Sequence, residues 1–170
     1  MRFLGLALAA SALSLGACAT TDTTMAGNVT PEDRAAYVAQ AGASDLYEIQ
    51  SSQIALQKAQ RPEVREFAQT MITHHTRTTA TLNTAAQASG LTPPAPTLNP
   101  MQQDMIAQLQ AAPAAGFDQL YLSQQVPAHE MALALHRTYA ANGDAPALRG
   151  AATAAVPIVQ QHLLRARELD

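Results

Sequence analysis

The sequence predicts an all-α protein: an antiparallel bundle of four long helices, with a long crossover carrying a short extra helix between the second and third. Three observations carry this reading. Hydrophobic residues make up 48% of the 170-residue chain, yet aromatics only 4%, with no Trp. An apolar content drawn mainly from Ala, Leu, Val and Met suits close helix packing better than a sheet, which favours β-branched and aromatic residues. Four long stretches repeat apolar residues at three-four spacing, and Pro, Gly and Asn punctuate the gaps between them. The sequence contains no strand pair with turn chemistry, no glycine-rich phosphate loop and no Gly-x-Ser-x-Gly elbow.

The chain begins Met1-Arg2, runs apolar from Phe3 to Leu15, and continues Leu15-Gly16-Ala17-Cys18. A short basic start, an apolar segment and small residues before a cut site describe an export signal. The Leu15-to-Cys18 segment resembles the bacterial lipobox, which implies cleavage before Cys18 and lipidation of that residue. The alternative is an ordinary signal peptide cut near Ala17 or Ala19, leaving a free thiol. The apolar run is shorter than the roughly 20 residues a membrane-spanning helix needs. Residues 1–17 are therefore expected to be a signal peptide and 18–29 a Thr-rich flexible tether, with residues 30–170 forming the domain. Cys18 is the single cysteine, so no intramolecular disulfide forms. Ala19 follows it where some sorting signals have Asp, a resemblance that implies the outer membrane, facing the periplasm.

Thr30-Pro31-Glu32-Asp33 reads as a helix start, with Thr as cap, Pro at the first helical position and acids at the positive end of the dipole. That helix should reach about Gln60, with Val38, Ala41/Gly42, Leu46, Ile49, Gln53 and Leu56 on its apolar side. Arg61-Pro62 makes a tight reversal, because the residue before Pro is pushed out of the helical region. The second helix carries Val64, Phe67/Ala68, Met71, His75, Thr78, Leu82 and Ala85 on one stripe, with His74 pointing elsewhere, and ends at Ser89-Gly90.

Leu91 to Leu98 is a proline-rich, extended connector, and Asn99-Pro100 opens a short helix through about Ala112, stopped by Pro113. A long crossover of this kind between helix pairs is a known bundle topology. The third long helix should span Ala114–Ala141, with Leu122, Val126, His129, Leu133 and His136 along one side. Asn142-Gly143-Asp144 ends it and caps the fourth, Ala145–Leu169, whose stripe is Leu148, Ala152, Ala155, Val159, His162, Ala166 and Leu169. Pro127 and Pro157 fall inside these last two helices, where a tolerated kink around the core is the expectation.

Glu48 lies 13 residues before Arg61 and His75 lies 14 after it. At about 1.5 Å per residue, antiparallel helices bring the two to one level. His129 lies 14 residues before Gly143 and His162 lies 19 after it, a mismatch of about 7 Å at the same rise. The candidate metal ligands are thus Glu48, His75, His129 and His162, one per long helix. Imidazole and carboxylate suit a divalent transition metal such as Zn, Fe, Mn or Cu. The residues three before the histidines are Ile72, Val126 and Val159, so the Glu-x-x-His pairs of di-iron proteins are missing. The competing reading is a neutral polar layer in which Glu48 accepts from His75 and fixes helix register. Met71, Met101, Met105 and Met131 fit ordinary apolar slots.

The segments Asp45–Ala59, Pro62–His75, Phe117–Asp144 and Val156–Asp170 together resemble a family of exported bacterial proteins with a ferritin-like domain of unknown function, often labelled outer-membrane or secreted proteins. The resemblance implies a ferritin-like four-helix bundle and no established activity. It places the family's recurring polar core positions at Glu48, His75, His129 and His162, with His74-His75 where relatives often have Asp-His. His74 then adds a ligand or is a surface imidazole. Lys and Arg total 10 against 13 Asp and Glu, with no basic block, which leaves no electrostatic footprint for nucleic acid. The expected protein is a lipid-anchored envelope bundle that binds a metal, or a structural or interaction module whose polar layer only specifies packing. An enzymatic role ranks behind both, because no nucleophile is tied by spacing to a His and an acid.

Overall fold

The computed structural model describes residue 1 and residues 32–170. Cys18, the tether and all but the first residue of the signal segment lie outside the described residues. Among the described residues there are five helices and no strand: α1 (Arg34–Lys58), α2 (Pro62–Ala88), α3 (Pro100–Ala111), α4 (Phe117–Asn142) and α5 (Pro146–Leu169). No described helix is long and apolar enough to cross a membrane. α1 packs on α2 and α4, and α5 packs on the same two, so four long helices close a ring around one core. α3 leans against α1 and α4 from outside.

The helix boundaries follow local chemistry. Asp33, not Thr30, caps α1, accepting from the backbone N–H groups of Ala35 and Ala36. Arg61 is extended before Pro62, and Gly90 at φ 78° terminates α2 in the left-handed region. Asn99 and Gln102 form a reciprocal capping box on α3. Gly116 at φ 85° caps α4, whose first residue, Phe117, comes three residues later than the start expected at Ala114. Asp144 does not cap α5; its carboxylate instead accepts from Arg34 Nε at 2.8 Å and from the Tyr139 hydroxyl at 2.9 Å. α4 and α5 run unbroken through Pro127 and Pro157, and both prolines are exposed.

Two apolar clusters fill the ends of the ring. One gathers Val64, Phe67, Met71, Leu109, Phe117, Tyr121, Leu122 and Leu169. The other gathers Tyr37, Val38, Leu82, Tyr139, Leu148 and Ala152. Between them lies a buried polar layer that holds Asp45, Glu48, Ser51, Ser52, His75, Gln125, His129 and His162. The stripe expected on α5 is buried at every position. On α1 the expected stripe holds at Val38, Ala41 and Gly42, which are buried, and is one residue off beyond them: Asp45, Glu48, Ser52 and Ala55 face inward, Leu46, Ile49 and Leu56 are half-buried and Gln53 is exposed. Met71 is core, but Met101 and Met131 are 49% and 51% exposed, so the methionines do not share one role.

In the second cluster the rings of Tyr37 and Tyr139 stack with centroids 3.9 Å apart. A Cβ at Gly143 would lie 2.5 Å from the Tyr139 ring. Gly143→Ala should therefore displace that stack and cost about 1–3 kcal/mol, the usual penalty of overpacking. Thermal unfolding measures it; an unchanged midpoint would show that the ring can yield.

Candidate metal centre

Helical spacing builds the layer. On α1, Asp45, Glu48 and Ser52 fall three and four residues apart and so share one face. Gln125 and His129 do the same on α4, while His75 and His162 occupy the inward stripes of α2 and α5. His129 is 0% exposed, Glu48 1%, and His75 and His162 2% each.

The three imidazoles form a nearly equilateral triangle. Ring centroids are 5.7 Å apart for His75–His129, 5.2 Å for His75–His162 and 5.4 Å for His129–His162. One nitrogen from each ring lies within 4.8 Å of the others. The 7 Å mismatch inferred from chain counting does not keep His129 and His162 apart.

Each ring is held by its other nitrogen. His75 Nδ1 donates to Asp45 Oδ1 at 2.8 Å, and that carboxylate also accepts from Thr78 and Thr79, each at 3.0 Å. His129 Nδ1 donates to the Gln125 backbone carbonyl at 2.9 Å. His162 Nε2 lies 2.8 Å from His74 Nδ1. What remains is unpartnered: His75 Nε2, His129 Nε2, His162 Nδ1, both oxygens of Glu48, and Gln125 Oε1. Glu48 Oε1 lies 3.6 Å from His129 Nδ1, beyond hydrogen-bond length.

Buried polar atoms without partners cost about 1–3 kcal/mol each, so natural proteins carry few of them. Six concentrated in one layer require an explanation. A cation supplies one, because each would become a ligand or face a positive charge. The outer hydrogen bonds match what metal-ligating histidines show: the second ring N–H goes to a carboxylate or a backbone carbonyl, fixing tautomer and orientation. With His162 Nε2–H donating to His74, the Nδ1 lone pair also faces the layer.

The protonation states of His129 and His162 suit a cation site, while those of His75 and Glu48 favour the proton. Burial pushes His129 down to about 3 and His162 down to about 2, with the charge of His75 adding to both. Both are therefore neutral and have a lone pair available at neutral pH. Burial works against charge on His75 as well, but the hydrogen bond and charge of Asp45 outweigh it and its pKa is raised. Burial pushes Glu48 up to about 7.

All four residues singled out from the sequence lie in this layer, but ligand atoms converge within 4.8 Å only for His75, His129 and His162; the Glu48 carboxylate lies 3.6 Å from His129 Nδ1, the nitrogen bonded to the Gln125 carbonyl. Glu48 does not accept from His75; Asp45 does. His74 does not point away; it is half-buried and bonded to His162. Asp45 lies one helical turn before Glu48, but an acid beside an apolar stripe usually faces solvent, so the sequence alone does not single it out. Glu130 faces out and pairs with Arg167. His136, also buried, bonds the Tyr37 hydroxyl at 2.9 Å and stands apart from the triangle.

Asp45→Asn keeps the shape but weakens the orienting bond to His75. Metal affinity should fall about 10–100-fold, the usual effect of changing such a partner. Competition against a chelating dye reads it, and undiminished affinity would exclude a role for Asp45.

A family model described as a domain of unknown function (DUF4142) matches residues 18–169. No curated protein matches. Among solved structures the chain is similar to CopM in the Cu(II)-bound form, with a TM-score of 0.67 and 19% identity, covering 79% of this chain and 93% of that one. At that identity the likeness bears on the helical fold alone.

Proposed function

The chain belongs to the DUF4142 family, whose description assigns no activity, so we propose its function from the layer itself: it binds one divalent transition-metal ion through His75, His129 and His162, with Glu48 as the acid of the site. The observation that carries this is that three buried rings each bring a nitrogen within 4.8 Å of the others, and each ring has one nitrogen without a partner. Three imidazoles and a carboxylate suit Zn, Cu, Fe or Mn. Copper is the first ion to try, because the structural neighbour CopM is described in a Cu(II)-bound form.

Holding an ion fits better than turning over a substrate. The two cavities that approach the layer are lined by His162 on one side and Asp45 on the other, and neither is lined by His75, His129 or Glu48. The long helices and the crossover support a ferritin-like bundle, and the Leu15-to-Cys18 signal supports a lipid anchor in the envelope, on the periplasmic face of the outer membrane. A role in metal handling at that surface follows.

An ion at about 100 times its dissociation constant stabilises the folded state by about 2.7 kcal/mol. For a domain of this size that is a rise on the order of 8 °C in the unfolding midpoint. A purified metal-free protein that shows no shift with Cu, Zn, Fe or Mn would leave the layer as a packing device. Cys18→Ala tests the anchor separately: membrane association should be lost, and its survival would remove the lipoprotein reading.

A further inference from the structure

We infer that the groove between α2 and α5 is the route by which an ion reaches this layer, with His74 as its transit ligand. The inference rests on the metal-binding reading above. His162 divides the groove from the layer: its Nδ1 is buried on the layer side, and its Nε2 meets His74 Nδ1 at 2.8 Å, the two rings nearly parallel at 21°. His74 is half-buried and, with His162, lines a cavity of about 410 Å³. Phe67 and Met71 also line this groove, together with Glu63, Glu66 and Glu168. The basic residue lining it, Arg165, is paired with Glu168 at 3.1 Å. A cavity lined with net negative charge concentrates cations and raises their association rate.

The opposite side is poorly suited. There a cavity of about 280 Å³ reaches Asp45, but Arg77 lines it and repels a cation. Asp45 is already held by His75, Thr78 and Thr79, so three hydrogen bonds stand between that cavity and the triangle. From the groove, one bond must break. His74 releases His162, takes the ion from the acidic lining, and passes it to the His162 ring as that ring turns inward.

The test mixes the metal-free full chain rapidly with Co(II) and follows visible absorption, then follows loss of the signal to a chelator. His74→Leu fills the same space without a ligand atom. It should slow association by at least about tenfold, within the range that variants of one site span, beside the roughly 10–100-fold loss of affinity expected from removing the bond that orients His162. Combined Glu63→Gln, Glu66→Gln and Glu168→Gln should lower association about tenfold at low salt, with the difference vanishing at high salt. Ala154→Leu, which narrows the opposite cavity, should change neither rate. Unaltered association in His74→Leu with faster release would make His74 a fixed support of His162 and overturn the route. Slowing by Ala154→Leu alone would place the route on the other side. A wild-type chain with no saturable signal would overturn the metal-binding reading itself.

Discussion

His129→Ala is expected to abolish stoichiometric metal binding while the bundle stays folded. His129 is 0% exposed and contributes one corner of the triangle, with its ring fixed by the Gln125 carbonyl. Removing it leaves two imidazoles on neighbouring helices and no donor from α4. The structural cost is contained: the Gln125 carbonyl stays within α4, and an unpartnered Nε2 disappears with the ring. His136→Ala is the matched control. That residue is also on α4 and 7% exposed, but its ring bonds Tyr37 and does not face the triangle. Both variants should lower the unfolding midpoint of the metal-free protein, and only His129→Ala should lose the ion. Elemental analysis after dialysis separates them; equal retention in the two variants would remove His129 from the site.

Glu48→Gln is expected to stabilise the metal-free protein at pH 8 and to weaken metal binding in the same molecule. Burial raises Glu48 from 4.5 to about 7. A carboxyl whose folded pKa is raised costs nothing below its unfolded value; the cost grows as pH rises from about 4.5 to about 7 and is complete above that. At about 1.4 kcal/mol per pKa unit the full cost is on the order of 3 kcal/mol. The Gln amide needs partners too, so the expected gain is about 1–3 kcal/mol at pH 8 and small at pH 5. With metal present the order should invert, because the ion loses a charged oxygen. Thermal unfolding of both proteins at both pH values, with and without metal, measures all four differences. A Glu48→Gln protein less stable at pH 8 without metal would mean that the carboxylate is partnered in solution.

The fold was largely legible because α2 and α5 carry unmixed stripes. On α5 the small and branched residues at Leu148, Ala152, Ala155, Val159, Ala166 and Leu169 are all buried and leave one phase. α1 was harder for a physical reason that also marks the site. Its inward face is polar at Asp45, Glu48, Ser51 and Ser52, so hydropathy pulled the expected stripe round toward Leu46, Ile49 and Leu56. A helix whose best apolar phase is not its buried phase marks where the core spends stability on function.

Glu48 and His75 could be placed at one height by counting from the turn, since the rise along a helix is fixed, whereas the same count left His129 and His162 about 7 Å apart. Which nitrogen pairs with which oxygen could not be read this way, because that depends on rotation about each helix and on rotamers. Hence the sequence points to Glu48 as the acceptor where the structure has Asp45. His74 stays open between an added ligand and a surface imidazole for a similar reason: one step along a helix is about 100°, which normally turns a neighbour outward. The close packing of α2 on α5 leaves it within reach of His162 instead.

Titrating metal-free protein with Co(II) or Cu(II), with the ion counted per chain, tests the three-histidine centre most directly. Saturation at one ion per chain in the wild type, lost when His75, His129 and His162 are replaced together by Ala, is the expected result. Equal binding by that triple variant, or no saturable binding by the wild type, would contradict it.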